Sequence, residues 1–90
     1  METVRYSLLR SLMAVTYFIA QGFRRDGRRL VGDQPQKMRS AADAVATATR
    51  LAIKKTGAVA YSITGDVETD SMDEPIVLFR AGELPPELSE

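Results

Sequence analysis

Residues 15–30, VTYFIAQGFRRDGRRL, decide the fold. The first nine are rich in β-branched and aromatic side chains, and the Asp26-Gly27 pair behind them is a strong short-range hairpin signal. A strand, a tight turn and a return strand over about residues 28–34 are therefore expected. A two-residue turn at Asp26-Gly27 would pair Arg25 with Arg28, Arg24 with Arg29 and Phe23 with Leu30. One sheet face would then carry Val15, Tyr17, Ile19, Phe23 and Leu30, and the other Phe18, Ala20 and Val31. The first set holds the larger apolar side chains and is expected to be the core.

Pro35 should end the return strand. Beyond it, Ser40 is placed to cap a helix with Asp43 three positions on. Ala41, Ala44, Val45, Ala48, Leu51, Ala52 and Lys55 recur at three and four residue spacing, one apolar stripe on a helix running to about Thr56. Gly57 is the expected stop, and Arg50, Lys54 and Lys55 suit the negative end of the helix dipole. AVAYSI at 58–63 reads as a third strand. GDVETDSMDE at 65–74 reads as a polar loop too long for a tight hairpin, and PIVLFR at 75–80 as a fourth strand with proline at the permitted first position. The class is α+β, an antiparallel four-stranded sheet in ββαββ order with one helix packed on one face. A single domain over residues 13–84 is expected, with a flexible N-terminal tail at 1–12 and a trailing C-terminal tail at 85–90.

The chain of 90 residues is 44% hydrophobic and carries 12 basic and 12 acidic residues, which fits one small globular domain. It contains no cysteine and no histidine, so thiolate chemistry, disulfides and the commonest metal ligand are absent. Only carboxylates, lysine, tyrosine or serine could do chemistry, and Tyr17 and Tyr61 fall among apolar strand neighbours, where core tyrosines are ordinary. No catalytic residue, metal or cofactor is assigned, and the protein is not expected to be an enzyme. The apolar run at 8–20 contains Arg10, Ser11 and Thr16 and is shorter than the roughly 20 residues a membrane span needs. Without a convincing signal-peptide cleavage site, a cytoplasmic location is expected.

Charge is distributed unevenly. Residues 1–56 hold eleven basic against four acidic residues, and residues 57–90 hold one against eight, so the halves carry +7 and −7. That cancellation favours internal complementarity over a highly charged partner. Arg24, Arg25, Arg28 and Arg29 crowd the hairpin tip and are candidates for contact with an anion or a partner. The expected pairing sends them to opposite faces, no aromatic residue is interleaved for base stacking, and no nucleic-acid-binding motif accompanies them. The acidic loop offers Asp66, Glu68, Asp70, Asp73 and Glu74. Its first three mimic the opening ligands of a calcium loop, yet the position needing glycine is Ser71 and the one needing glutamate is Val77.

The segments AYSITGD at 60–66, DEP at 73–75 and GELP at 82–85, with FIAQGF upstream and the alanine-rich helix, are similar to a group of short proteobacterial proteins of unknown function. The similarity covers most of residues 15–86. It implies a bacterial, cytoplasmic domain and brings no activity, ligand or catalytic residue with it. The leading expectation is a non-enzymatic module that acts through protein contacts, first with itself as a homodimer and then with an unidentified protein partner. One helix covers one sheet face, so Phe18, Ala20, Val31 and Phe79 are expected on the open face as the interface. Anion or nucleic-acid binding through the arginine hairpin is the alternative.

Overall fold

The computed structural model describes residues 14–66 and 71–88; the tail expected over 1–12 lies outside them. The elements run β1 Ala14–Asp26, β2 Arg29–Gly32, β3 Gln36–Met38, α1 Ala41–Lys54, β4 Gly57–Asp66, β5 Ser71–Met72, β6 Ile76–Gly82 and a short 3₁₀ turn, Pro86–Leu88. All strand pairings are antiparallel. β1 lies along β4 over ten residue pairs, from Ala14↔Asp66 to Phe23↔Gly57. The other edge of β1 carries β3 and then β2, and the far edge of β4 carries β5 and β6. Taking β2 with β3 and β5 with β6 as two interrupted strands gives the expected four-stranded α+β sheet with one helix on it.

The helix begins where the sequence places it. Ser40 has extended backbone and its Oγ accepts the Asp43 N–H at 3.1 Å, satisfying one of the free donors of the first turn. It ends at Lys54, with the Lys55 N–H donated to the Leu51 carbonyl at 2.8 Å. Gly57 is thus not the helix stop but the first residue of β4. Its role is close approach: a Cβ there would lie 1.9 Å from the Glu83 carbonyl oxygen. Gly57 is paired with Gly82, whose φ of +72° is open to glycine and whose added Cβ would lie 2.1 Å from the Thr56 oxygen. Two glycines let the start of β4 and the end of β6 touch backbone to backbone, and the Glu83 N–H bonds the Thr56 carbonyl at 3.1 Å.

The helix stripe packs on the face that carries the smaller residues. Ala44 and Ala48 of α1 meet Ala20, Ala58 and Ala60 of the sheet, all five with 0% exposure, and Phe18, Met38, Val45, Leu51, Ala52 and Phe79 close around them. This reverses the face expected from side-chain size. A stripe of alanines fits closely only against a surface that is itself small, and β1 and β4 offer one at Ala20, Ala58 and Ala60. The opposite face holds Val15, Tyr17, Ile19, Phe23 and Val59. Phe23 and Val59 are buried there, while Val15 is 41% exposed.

Other expectations shift in smaller ways. Pro35 does not end sheet pairing but sits in the break between β2 and β3, after which pairing resumes with Ala20↔Gln36. β4 continues to Asp66 and pairs with Ser71, so the loop closes to a hairpin tighter than expected. The segment expected to trail forms the Pro86–Leu88 turn, and Leu84, Pro85 and Leu88 are half-buried.

Two substitutions test this packing. Ala48→Leu should lower stability by about 1–3 kcal/mol through overpacking, whereas Ala46→Leu on the exposed side of the same helix should change it by less than about 0.5 kcal/mol. Thermal melts that rank the two the other way would contradict the helix face. Gly57→Ala should lower the melting temperature more than either, since the atom it would meet is backbone.

Candidate functional site

The arginine hairpin was the strongest candidate in the sequence, and its geometry follows from the turn. The turn residues are Gly27 and Arg28, not Asp26 and Gly27, so that Asp26 pairs Arg29, Arg25 pairs Leu30, Arg24 pairs Val31 and Phe23 pairs Gly32. Gly27 has φ +65°, so glycine occupies the first central position, the one that needs positive φ in both primed hairpin turns. The register is displaced by two residues from the expected one. Because side chains alternate with a period of two, each keeps its face, and Arg24 and Arg25 still point to opposite sides.

Each of those two arginines reaches a carboxylate of its own chain. Arg24 Nε lies 3.3 Å from Asp33 Oδ1, and Lys55 Nζ lies 3.0 Å from Asp33 Oδ2. Arg25 donates one guanidinium nitrogen to Glu83 and Nη1 to the Arg28 carbonyl at 2.9 Å. Arg28 and Arg29 are exposed and form no ion pair among the described residues. The four arginines therefore do not converge on one anion-sized space.

Asp33, which the sequence did not single out, is the organising residue here. Its N–H bonds the Gly22 carbonyl at 2.9 Å, its carbonyl accepts Gln21 Nε2 at 2.8 Å, and its carboxylate joins the tip of the hairpin to the end of α1. Gly22 leaves room for the bridge, since a Cβ there would sit 3.2 Å from Lys55 Cγ and 3.3 Å from Asp33 Oδ2. The one signal for it in the sequence is a second acidic residue, after Asp26, in a basic segment just before Pro35. Hydrogen bonding from Lys55, with lesser help from Arg24, holds the Asp33 carboxyl below its ordinary pKa.

The remaining candidates are dispersed. Tyr61 is partly buried and its hydroxyl pKa is raised by desolvation, while the Tyr17 ring lies under Lys37 Nζ at 4.6 Å, a cation–π contact on the face away from the helix. In the acidic loop, Asp66 ends β4, Glu68 and Asp70 lie outside the described residues, and Asp73 and Glu74 are exposed, with the Asp73 N–H bonded to the Thr64 carbonyl at 2.8 Å. Among the described residues no group of three acidic side chains is placed to hold a metal ion. The expected interface set is corrected: Ala20 is buried, Phe18 and Phe79 pack on the helix, and Val31, paired with Arg24, shares that covered side and is half-buried. No helix among the described residues is long and apolar enough to cross a membrane. Compared with protein-family models, with curated proteins and with solved structures, the chain matches none.

The Asp33 bridge has a pH signature. A carboxyl whose folded pKa is depressed contributes stability above its unfolded pKa, near the ordinary 3.8, and loses it as pH falls through the folded value. Asp33→Asn should therefore lower the melting temperature at neutral pH, with the difference from wild type shrinking as the pH is taken below the ordinary carboxylate range. A difference that stays constant across that range would show the carboxylate charge to be irrelevant.

Proposed function

We propose that the protein is a small non-catalytic interaction module of the bacterial cytoplasm that works as a homodimer joined through β6. The observation that carries this reading is the character of that strand. β6 pairs with β4 on one side and with no other strand among the described residues, and its side chains include Ile76 at 64% and Leu78 at 36% exposure. Leu78 is the extra residue of a bulge, since Ala60 pairs Phe79 and Tyr61 pairs Val77. Open edges of this kind are usually blunted by charge, and between Ile76 and Phe79 this one carries none.

A second copy fits such an edge because antiparallel pairing about a two-fold axis presents the same surface from both sides. An axis through Leu78 sets Val77 opposite Phe79 and Ile76 opposite the stem of Arg80. The bacterial and cytoplasmic parts of the reading rest on the similarity of AYSITGD and GELP to proteobacterial chains and on the composition. Anion binding by the arginine hairpin is the weaker reading, because Arg24 and Arg25 are already paired with Asp33 and Glu83.

Sedimentation at micromolar concentration should give a dimer for the wild type and a monomer for Leu78→Lys, with little change in melting temperature because the side chain lies outside the core. Phe18→Asp, by contrast, should unfold the domain and not merely separate its copies. A wild type that sediments as a monomer would overturn the proposal.

A further inference from the structure

A second surface lies on the opposite margin of the sheet, where α1 passes above the outer edge of β3. The groove between them is made of three adjoining hollows that share lining residues. Its middle section, of about 440 Å³, is lined by Gln36, Thr47, Arg50, Leu51, Ile53 and Lys54. It shares Thr47 and Arg50 with a section towards Met38 and Asp43, and Gln36 and Leu51 with a section towards Asp33 and Lys55. The floor is apolar at half-buried Leu51, and Ile53 on the wall is 81% exposed.

We infer that this groove binds an extended acidic peptide of another protein, which adds a strand to β3 and sets its carboxylates against Arg50 and Lys54. Three features converge on that occupant. First, β3 pairs only with β1 among the described residues, so its outer edge is open to main-chain hydrogen bonds. Second, the middle section holds two cations and no carboxylate, and neither Arg50 nor Lys54 has an ion-pair partner among the described residues. The nearest carboxylate towards the end of α1, Asp33, is already held by Arg24 and Lys55. Third, Arg50 is tied back towards β3, for its Nη2 donates to Thr47 Oγ1 at 3.2 Å and that hydroxyl in turn reaches Met38 Sδ at 3.2 Å. An apolar side chain at alternate positions of the peptide would meet Leu51 and Ile53.

A nucleic acid fits less well. Among the described residues no aromatic side chain lines the groove for a base to stack on, and the Tyr17 ring, over which Lys37 Nζ sits, is on the far face of the sheet. Of the chain's own C-terminal segment, Glu83 is paired to Arg25, and Leu84 and Leu88 are half-buried.

Fluorescence anisotropy on the full chain tests the inference with three labelled probes: a short peptide alternating glutamate with leucine, the same peptide with lysine for glutamate, and a single-stranded oligothymidine. The glutamate peptide alone should bind saturably, more weakly as salt is raised, and about tenfold or more less tightly to the Arg50→Glu/Lys54→Glu variant. N-methylation of alternate peptide amides should abolish binding, and Arg28→Glu should leave it unchanged. Both groove residues are exposed, but two carboxylates near the end of α1 oppose the helix dipole, so the double variant is expected to melt somewhat below wild type, and circular dichroism verifies that it is folded at the assay temperature. Equal binding of the lysine peptide, tighter binding of the oligonucleotide, indifference to the double variant, or no binding would each overturn the inference. Loss of the dimer in the double variant would also overturn it, by making a second copy the occupant, and is distinguishable from the effect of Leu78→Lys.

Discussion

The contact between Ala44 and Ala48 on α1 and Ala20, Ala58 and Ala60 on the sheet sets the distance at which the rest of the molecule is arranged. No side chain in that contact extends past its Cβ, so the helix lies close on β1 and β4, and larger groups are displaced to the rim. Phe18, Phe79, Met38 and Leu51 occupy that rim. The same closeness leaves the outer edges of β3 and β6 at the margins, although Met38 and Phe79 reach in to the helix, and exposed apolar side chains are found at both, Ile53 beside β3 and Ile76 with Leu78 on β6. A helix with leucines in place of those alanines would stand higher off the sheet.

Among the described residues an ion pair bridges the electrostatic division of the chain. Arg25 of the basic half meets Glu83 of the acidic half, while Asp33, an acidic residue inside the basic half, takes Arg24 and Lys55. These are exposed pairs of modest individual worth. Their effect is positional: they fix the hairpin tip against the end of the helix and against the segment after β6. Of the hairpin arginines, Arg28 and Arg29 form no ion pair among the described residues and stay exposed at its tip.

How much of this was legible depended on whether a signal was local. Ser40, the alanine stripe and the glycine of the hairpin turn act through neighbours a few residues away, so the helix and the hairpin could be read from the chain. The choice of sheet face could not be made by asking which side holds the larger apolar groups. It is governed by the match of one small surface to another, and the alanines at 20, 58 and 60 were the sign of it. Gly57 has the local look of a helix stop because the approach of Glu83, twenty-six positions later, leaves no trace in the neighbouring residues. Asp33 carries no local mark for a related reason, its leading partner, Lys55, being brought to it by the crossover of α1 from β3 to β4. Of the candidate site, the arginines were found and their partners were not.

An alanine core also shapes how the protein responds to temperature. The heat capacity change of unfolding grows with the apolar surface exposed, and each methyl side chain exposes far less than a leucine or phenylalanine. In the core cluster the five fully buried members are all alanine, and of the residues with no exposed surface the bulkiest is Val59. The stability curve of such a domain is correspondingly shallow, with a broad maximum. Cooling weakens it less than it would a domain of the same length built around large side chains.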